Sequence, residues 1–169
     1  MGKAWGFQTN IAAEMARCVE IKTALLPLTP VDSKRKLPVR ATAFIKQAGW
    51  LRSIEVLYGR LQIDPIFALY LVDCSSNPKM PPYIWVIVGD IPPAFLSTTV
   101  NPSAIAAVET YVAELRWWSK TLLEGGDMAE CMPILHADSF RPLPPTPKTA
   151  TMVGERADAV ERLILPLLC

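Results

Sequence analysis

Chemistry in this chain has to begin with His136, its single histidine, because a catalytic serine or cysteine needs a base to take its proton and that base is most often an imidazole. His136 precedes Ala137-Asp138, so a carboxylate stands ready to orient the ring, yet no nucleophile is marked by its surroundings. Cys131 is the nearest thiol, and it lacks the flanking residues of papain-type or caspase-type sites. His136 therefore reads as a structural or surface residue.

A carboxylate pair could serve a glycosidase or isomerase without any histidine, and Asp73 and Asp90 both stand at the ends of apolar runs. In a meander, Asp73 closes the first strand and Asp90 the second, which places them at opposite edges of the sheet. That separation argues against a shared site. Asp90 reads as a turn residue in Gly89-Asp90-Ile91-Pro92, accepting backbone N–H bonds. No catalytic residue is assigned.

Metal centres draw on several His, Cys or carboxylate groups at fixed spacing, and neither H-E-x-x-H nor an EF-hand loop occurs. The cysteines, Cys18, Cys74, Cys131 and Cys169, have no C-x-x-C spacing and read as reduced thiols. Phosphate-cradling glycine loops are also missing, and Gly125-Gly126 closes a helix instead of opening one. No metal and no cofactor is expected, and the chain does not read as an enzyme.

The elements that must position these side chains follow from punctuation by the 16 prolines and from apolar period. The spacing of Ile11, Met15, Val19, Lys22 and Leu25 predicts a helix from Ile11 to about Leu26, capped by Asn10 and stopped by Pro27. A second helical stretch is predicted from Arg40 to about Leu61, weakened and open to division by Gly49 and Gly59. Residues 28–38 between them read as a surface connection carrying Lys34, Arg35 and Lys36.

Three strands are predicted next, over Ile66–Val72, Tyr83–Gly89 and Ala94–Thr98, forming an antiparallel meander. The first two are apolar at consecutive positions, so the sheet should be covered on both faces. Asn101-Pro102-Ser103 predicts a helix start with Asn as the cap, running to about Glu124 and ending at Gly125-Gly126. Ala104, Val108, Tyr111, Leu115, Trp118 and Leu122 form its buried stripe, and Trp117, turned about 100° from Trp118, is left for a core edge or an interface. Asp127-Met128-Ala129-Glu130 predicts one capped turn, and Thr146-Pro147 opens a last helix reaching about Leu167.

The reading is thus α+β, a short three-stranded antiparallel meander packed with about four α-helices. It is taken as a single domain over residues 1–169, with a helical part to residue 61, a sheet to residue 100 and a second helical part beyond. The hydrophobic fraction of 51% and charged fraction of 20% are those of a packed domain. No apolar run approaches the roughly 18 to 20 residues that cross a bilayer, and no secretory signal opens the chain, so the cytoplasm is the expected compartment. Net charge is +1, but residues 1–60 hold ten basic and four acidic residues, whereas residues 61–169 hold seven and twelve. A nucleic-acid binder needs its basic residues gathered, and a pI near 7.6 argues against one.

The run Pro81-Pro82-Tyr83-Ile84-Trp85-Val86-Ile87-Val88-Gly89-Asp90-Ile91-Pro92-Pro93-Ala94, followed by a long helix, an acidic capped turn and a Pro-Pro-Thr-Pro start to a last helix, resembles a family of small uncharacterised bacterial proteins. The resemblance spans about residues 65–168 and carries no catalytic assignment. In character the chain is similar to immunity proteins encoded beside secreted antibacterial toxins. That resemblance implies a protein partner, with Trp117, Lys34, Arg35 and Lys36 as the expected partner-binding residues. Toxin neutralisation in the bacterial cytosol is the function it implies; a carboxylate-dependent hydrolase or transferase, or a regulatory or scaffold protein, is the alternative.

Overall fold

A computed structural model describes residues 11–23, 37–51 and 53–169. Its centre is a five-stranded antiparallel sheet in sequential order: β1 (Val19–Lys22), β2 (Val56–Ile63), β3 (Phe67–Asp73), β4 (Tyr83–Gly89) and β5 (Ala94–Ser97). Helices occupy residues 11–16 (α1), Leu37–Ala48 (α2), Ala104–Leu123 (α3) and Pro147–Leu163 (α4). The α+β class holds, and the expected meander is its β3–β4–β5 core with two strands added.

Both additions come from segments expected to be helical. Residues 11–16 are helical, but the chain then becomes β1, whose Val19 and Ile21 lie opposite Gly59 and Leu57 of β2. Branched residues at alternate positions suit a pleated strand better than a helix, and the strand has β2 to pair with. The remainder of the first expected helix, and residues 28–36 of the expected 28–38 connection, with Lys34, Arg35 and Lys36, lie outside the described residues, whereas Leu37 and Pro38 of that connection open α2, Leu37 being buried. The second expected helix is split as well. α2 stops at Ala48 because Gly49 takes φ +72, a left-handed conformation open to glycine at little cost. Beyond it, Val56–Ile63 is a strand that shifts register between Gly59 and Leu61, and it buries Leu57 and Gly59 at alternate positions.

Side-chain alternation explains why consecutive residues of β3 and β4 are all apolar. Phe67, Leu69, Leu71, Trp85, Ile87 and Leu96 face a core shared with α3 and α4. Ala68, Tyr70, Val72, Ile84, Val86 and Val88 face a second core under α2. The sheet is thus the middle of three layers, buried on both faces as its sequence predicts. Burial pushes the Tyr70 and Tyr111 phenols far above their ordinary range, and each hydroxyl keeps a hydrogen bond, donating to Gln62 Oε1 at 2.9 Å and to the Pro92 carbonyl at 2.7 Å.

The start of α3 corrects one expectation. Ser103, two residues after Asn101, is the cap, its hydroxyl accepting from the Ala106 N–H. Asn101 instead takes the Thr110 hydroxyl on its Oδ1 and the Trp85 indole N–H on its backbone carbonyl, at 2.6 and 2.9 Å. The capped turn at Asp127 and the Thr146-Pro147 start of α4 appear as predicted, and α4 gives way at Leu165–Leu168 to a 3₁₀ turn. Arg60 of β2 ties α1 to the Leu165–Leu168 turn, donating to Glu14 and to the Leu168 carbonyl.

α3 and α4 are also clasped at the surface, where Arg116 donates to Asp158 and, through two nitrogens, to Glu161 at 2.6 and 2.9 Å. These bonds hold the Glu161 carboxyl below its usual range. A carboxyl lowered in the folded state stabilises the fold above its unfolded pKa, about 4.3, and loses that contribution as pH falls through its folded value. Glu161→Gln is therefore expected to lower the melting temperature slightly at pH 7 and not at pH 2. Melts at both pH values check this, and an equal difference at both would refute it.

Candidate functional site

Two adjoining cavities, one polar and one apolar, lie beside the β4–β5 turn and share Pro92 and Leu135 as a common wall. The polar one, about 290 Å³, is lined by Asp90, His136, Asp138 and Arg156 among others. Beside it lies Arg40 of α2, a buried cation in a stripe with Leu37, Ala41, Phe44 and Ile45. An unpaired buried guanidinium is strongly disfavoured. Arg40 is paired twice, donating through Nη1 to Asp90 Oδ1 at 3.0 Å and through Nη2 to Asp138 Oδ1.

This corrects the reading of Asp90. Its carboxylate accepts from Arg40, fifty residues away, and its backbone N–H donates to the Ile66 carbonyl at 3.0 Å. Asp73 stands at the other end of β3, where its carboxylate accepts from Ser75 N–H. The expected separation of Asp73 from Asp90 holds, but Asp138, not Asp73, is the second carboxylate at the Asp90 end.

The loop carrying Asp138 is folded tightly on itself. His136 N–H donates to the Arg141 carbonyl, Phe140 N–H to the His136 carbonyl, and Asp138 N–H to His136 Nδ1. That last bond makes Nδ1 an acceptor, and the ring is exposed. Phe140 takes φ +55, a strained conformation for a bulky side chain, and places its ring 5.0 Å from that of Phe44.

The apolar cavity, about 510 Å³, lies on the far side of Leu135. Its strand wall is Ala94, Phe95 and Leu96 of β5; α2 supplies Phe44, and α3 supplies Tyr111, Glu114 and Leu115. Phe44 and Phe95 stack at 4.1 Å with their planes 8° apart, and Trp50 leans on Phe95 at 4.4 Å. β5 is also a sheet edge. Among the described residues, no backbone hydrogen bond reaches Ala94, Phe95 or Leu96 from outside the ladder with β4.

Of the expected partner-binding residues, Trp117 is placed. It is 46% exposed, one helical turn beyond Glu114, while neighbouring Trp118 is buried as predicted. Lys34, Arg35 and Lys36 fall outside the described residues. The Arg40–Asp90–Asp138 group was missed from sequence, although a cation within the apolar stripe of α2 was its available signal. Burial pushes the Cys18 and Cys74 thiols up to about 11, so neither is an activated thiolate at neutral pH. Among the described residues, no group of three or more His, Cys, Asp or Glu could hold a metal ion, and no helix is long and apolar enough to cross a membrane.

No family model matches this chain, and no curated protein or solved structure matches it either.

Proposed function

We propose that the chain is a non-catalytic protein-binding module, most concretely an immunity protein that binds and neutralises a cognate secreted antibacterial toxin in the bacterial cytoplasm. The observation that carries this reading is the open edge of β5 beside an apolar cavity. An edge strand with unpaired backbone groups can take up an extended segment of a partner, and an adjoining apolar hollow can seat its side chains. Trp117, half-exposed on α3, supplies an anchor of the residue type enriched in binding hot spots. The partner proposed is a protein, not nucleic acid or a bilayer, in keeping with a net charge of +1.

Co-expression with the secreted toxin encoded beside the gene tests the reading. A stable complex and protected cells are expected, and Trp117→Ala should weaken binding by about tenfold or more, read by calorimetry. Toxin that neither co-purifies nor loses toxicity would sink the proposal.

The polar cavity favours a second reading, a hydrolase or transferase using Asp90 and Asp138. Both carboxylates are already engaged as acceptors of the Arg40 guanidinium, which makes this the weaker reading. Turnover of chromogenic glycosides or esters that disappears in Asp138→Asn, with the fold intact, would reverse the order.

A further inference from the structure

We propose that the apolar cavity beside β5 is a binding site for a small organic cation with an apolar body, such as an aryl or branched-alkyl ammonium, and that Glu114 is its counter-charge. At about 510 Å³ the cavity falls within the range of small-molecule sites, about 300–1,000 Å³. Its lining holds one charged side chain, Glu114, and no lysine, arginine or histidine. Arg40, His136 and Arg156 belong to the other side of the Leu135 and Pro92 wall.

Among the described residues, none engages the Glu114 carboxylate in a structural contact. Its neighbours on α3, Tyr111 and Leu115, are core residues, and among the described residues it makes no ion pair and no side-chain hydrogen bond. By contrast, Arg116, two positions on, is fully engaged with α4. A carboxylate on a largely apolar wall, where Gln47 and the Tyr111 hydroxyl are the other polar side-chain groups, favours a cation that sheds its water readily, because few polar groups are at hand to replace a tight hydration shell. Quaternary and bulky ammonium groups meet that condition.

The aromatic side chains point to the same ligand class. Aromatic faces attract cations through the ring quadrupole, and indole does so best. Trp50 lines this cavity and is 38% exposed, whereas the Tyr111 hydroxyl is spent on the Pro92 carbonyl. The site thus offers an aromatic surface, largely apolar walls and one negative charge, with no cationic side chain to receive an anion. This inference does not depend on a protein partner.

Phenyltrimethylammonium, its neutral carbon isostere tert-butylbenzene and the anion 4-tert-butylbenzoate are the probes, titrated into the full chain while the Trp indole N–H signals are followed by NMR. The cation is expected to bind with Kd of about 1 mM or tighter and to shift the Trp50 signal. Glu114→Gln should weaken the cation about tenfold and leave the neutral isostere unchanged, and Trp50→Leu should weaken the cation while leaving the melting temperature close to wild type. Equal affinity for cation and isostere, tighter binding of the benzoate, or an unchanged cation affinity in Glu114→Gln would overturn the proposal.

Discussion

Gly89→Ala is expected to prevent the native fold from forming, with a loss of more than about 4 kcal/mol of stability. Gly89 takes φ +148, and a Cβ built there would lie 2.1 Å from the Ile66 carbonyl oxygen, 2.6 Å from its carbon and 2.9 Å from Phe67 Cα. All three are backbone atoms of the chain entering β3, where Phe67 is the direct partner of Gly89, so no rotamer change relieves the clash. Relief would require β3 and β4 to separate, and with them the bonds from Asp90 N–H to the Pro65 and Ile66 carbonyls. Asp90 would then leave Arg40 without one of its two acceptors. Urea unfolding followed by circular dichroism checks this, and a variant with the wild-type midpoint would refute the backbone geometry at this turn.

Trp85→Ala is expected to destabilise the protein by about 3–5 kcal/mol. Trp85 is fully buried in the core between the sheet and helices α3 and α4, and its indole N–H donates to the Asn101 carbonyl at 2.9 Å. Truncation opens a cavity and leaves that buried carbonyl without its donor. For a chain of this length the melting temperature should fall by about 10 °C. Calorimetry at neutral pH measures it, and a fall of only a degree or two would mean that the surrounding core collapses to fill the space. Trp85→Phe should lie between the two, since it retains most of the apolar volume but not the donor.

The meander was legible because β3 and β4 declare themselves locally: seven-residue apolar runs closed by turns at Asp73 and Gly89. Helices α3 and α4 were legible for a related reason, their stripes being long and their ends marked by Gly125 and by Thr146-Pro147. β1 and β2 were not, because apolar residues from two different elements fell by chance at helical spacing across Gly49 and across residue 18. Whether a short segment of mixed polarity becomes a strand depends on finding an edge to pair with, and that information lies elsewhere in the chain. The polar cavity was illegible for the same reason, since Arg40 and Asp138 are separated by 98 residues and only the packing of α2 brings them together. Glu114 was hidden differently, as one acid on a helix whose outward face is expected to carry acids.

The sequential order of the sheet also bears on how the chain reaches this state. Each strand pairs with its immediate predecessor and successor in the sequence, and α3 packs against α4, the next long helix. Most ordering therefore closes short or moderate loops, which keeps the entropic barrier to each pairing low. A nascent chain could complete β3, β4 and β5 before α4 leaves the ribosome. The sheet face that α4 helps to cover would stay uncovered until Pro147–Leu163 has formed, so that helix sets the time during which that apolar surface is exposed to other molecules.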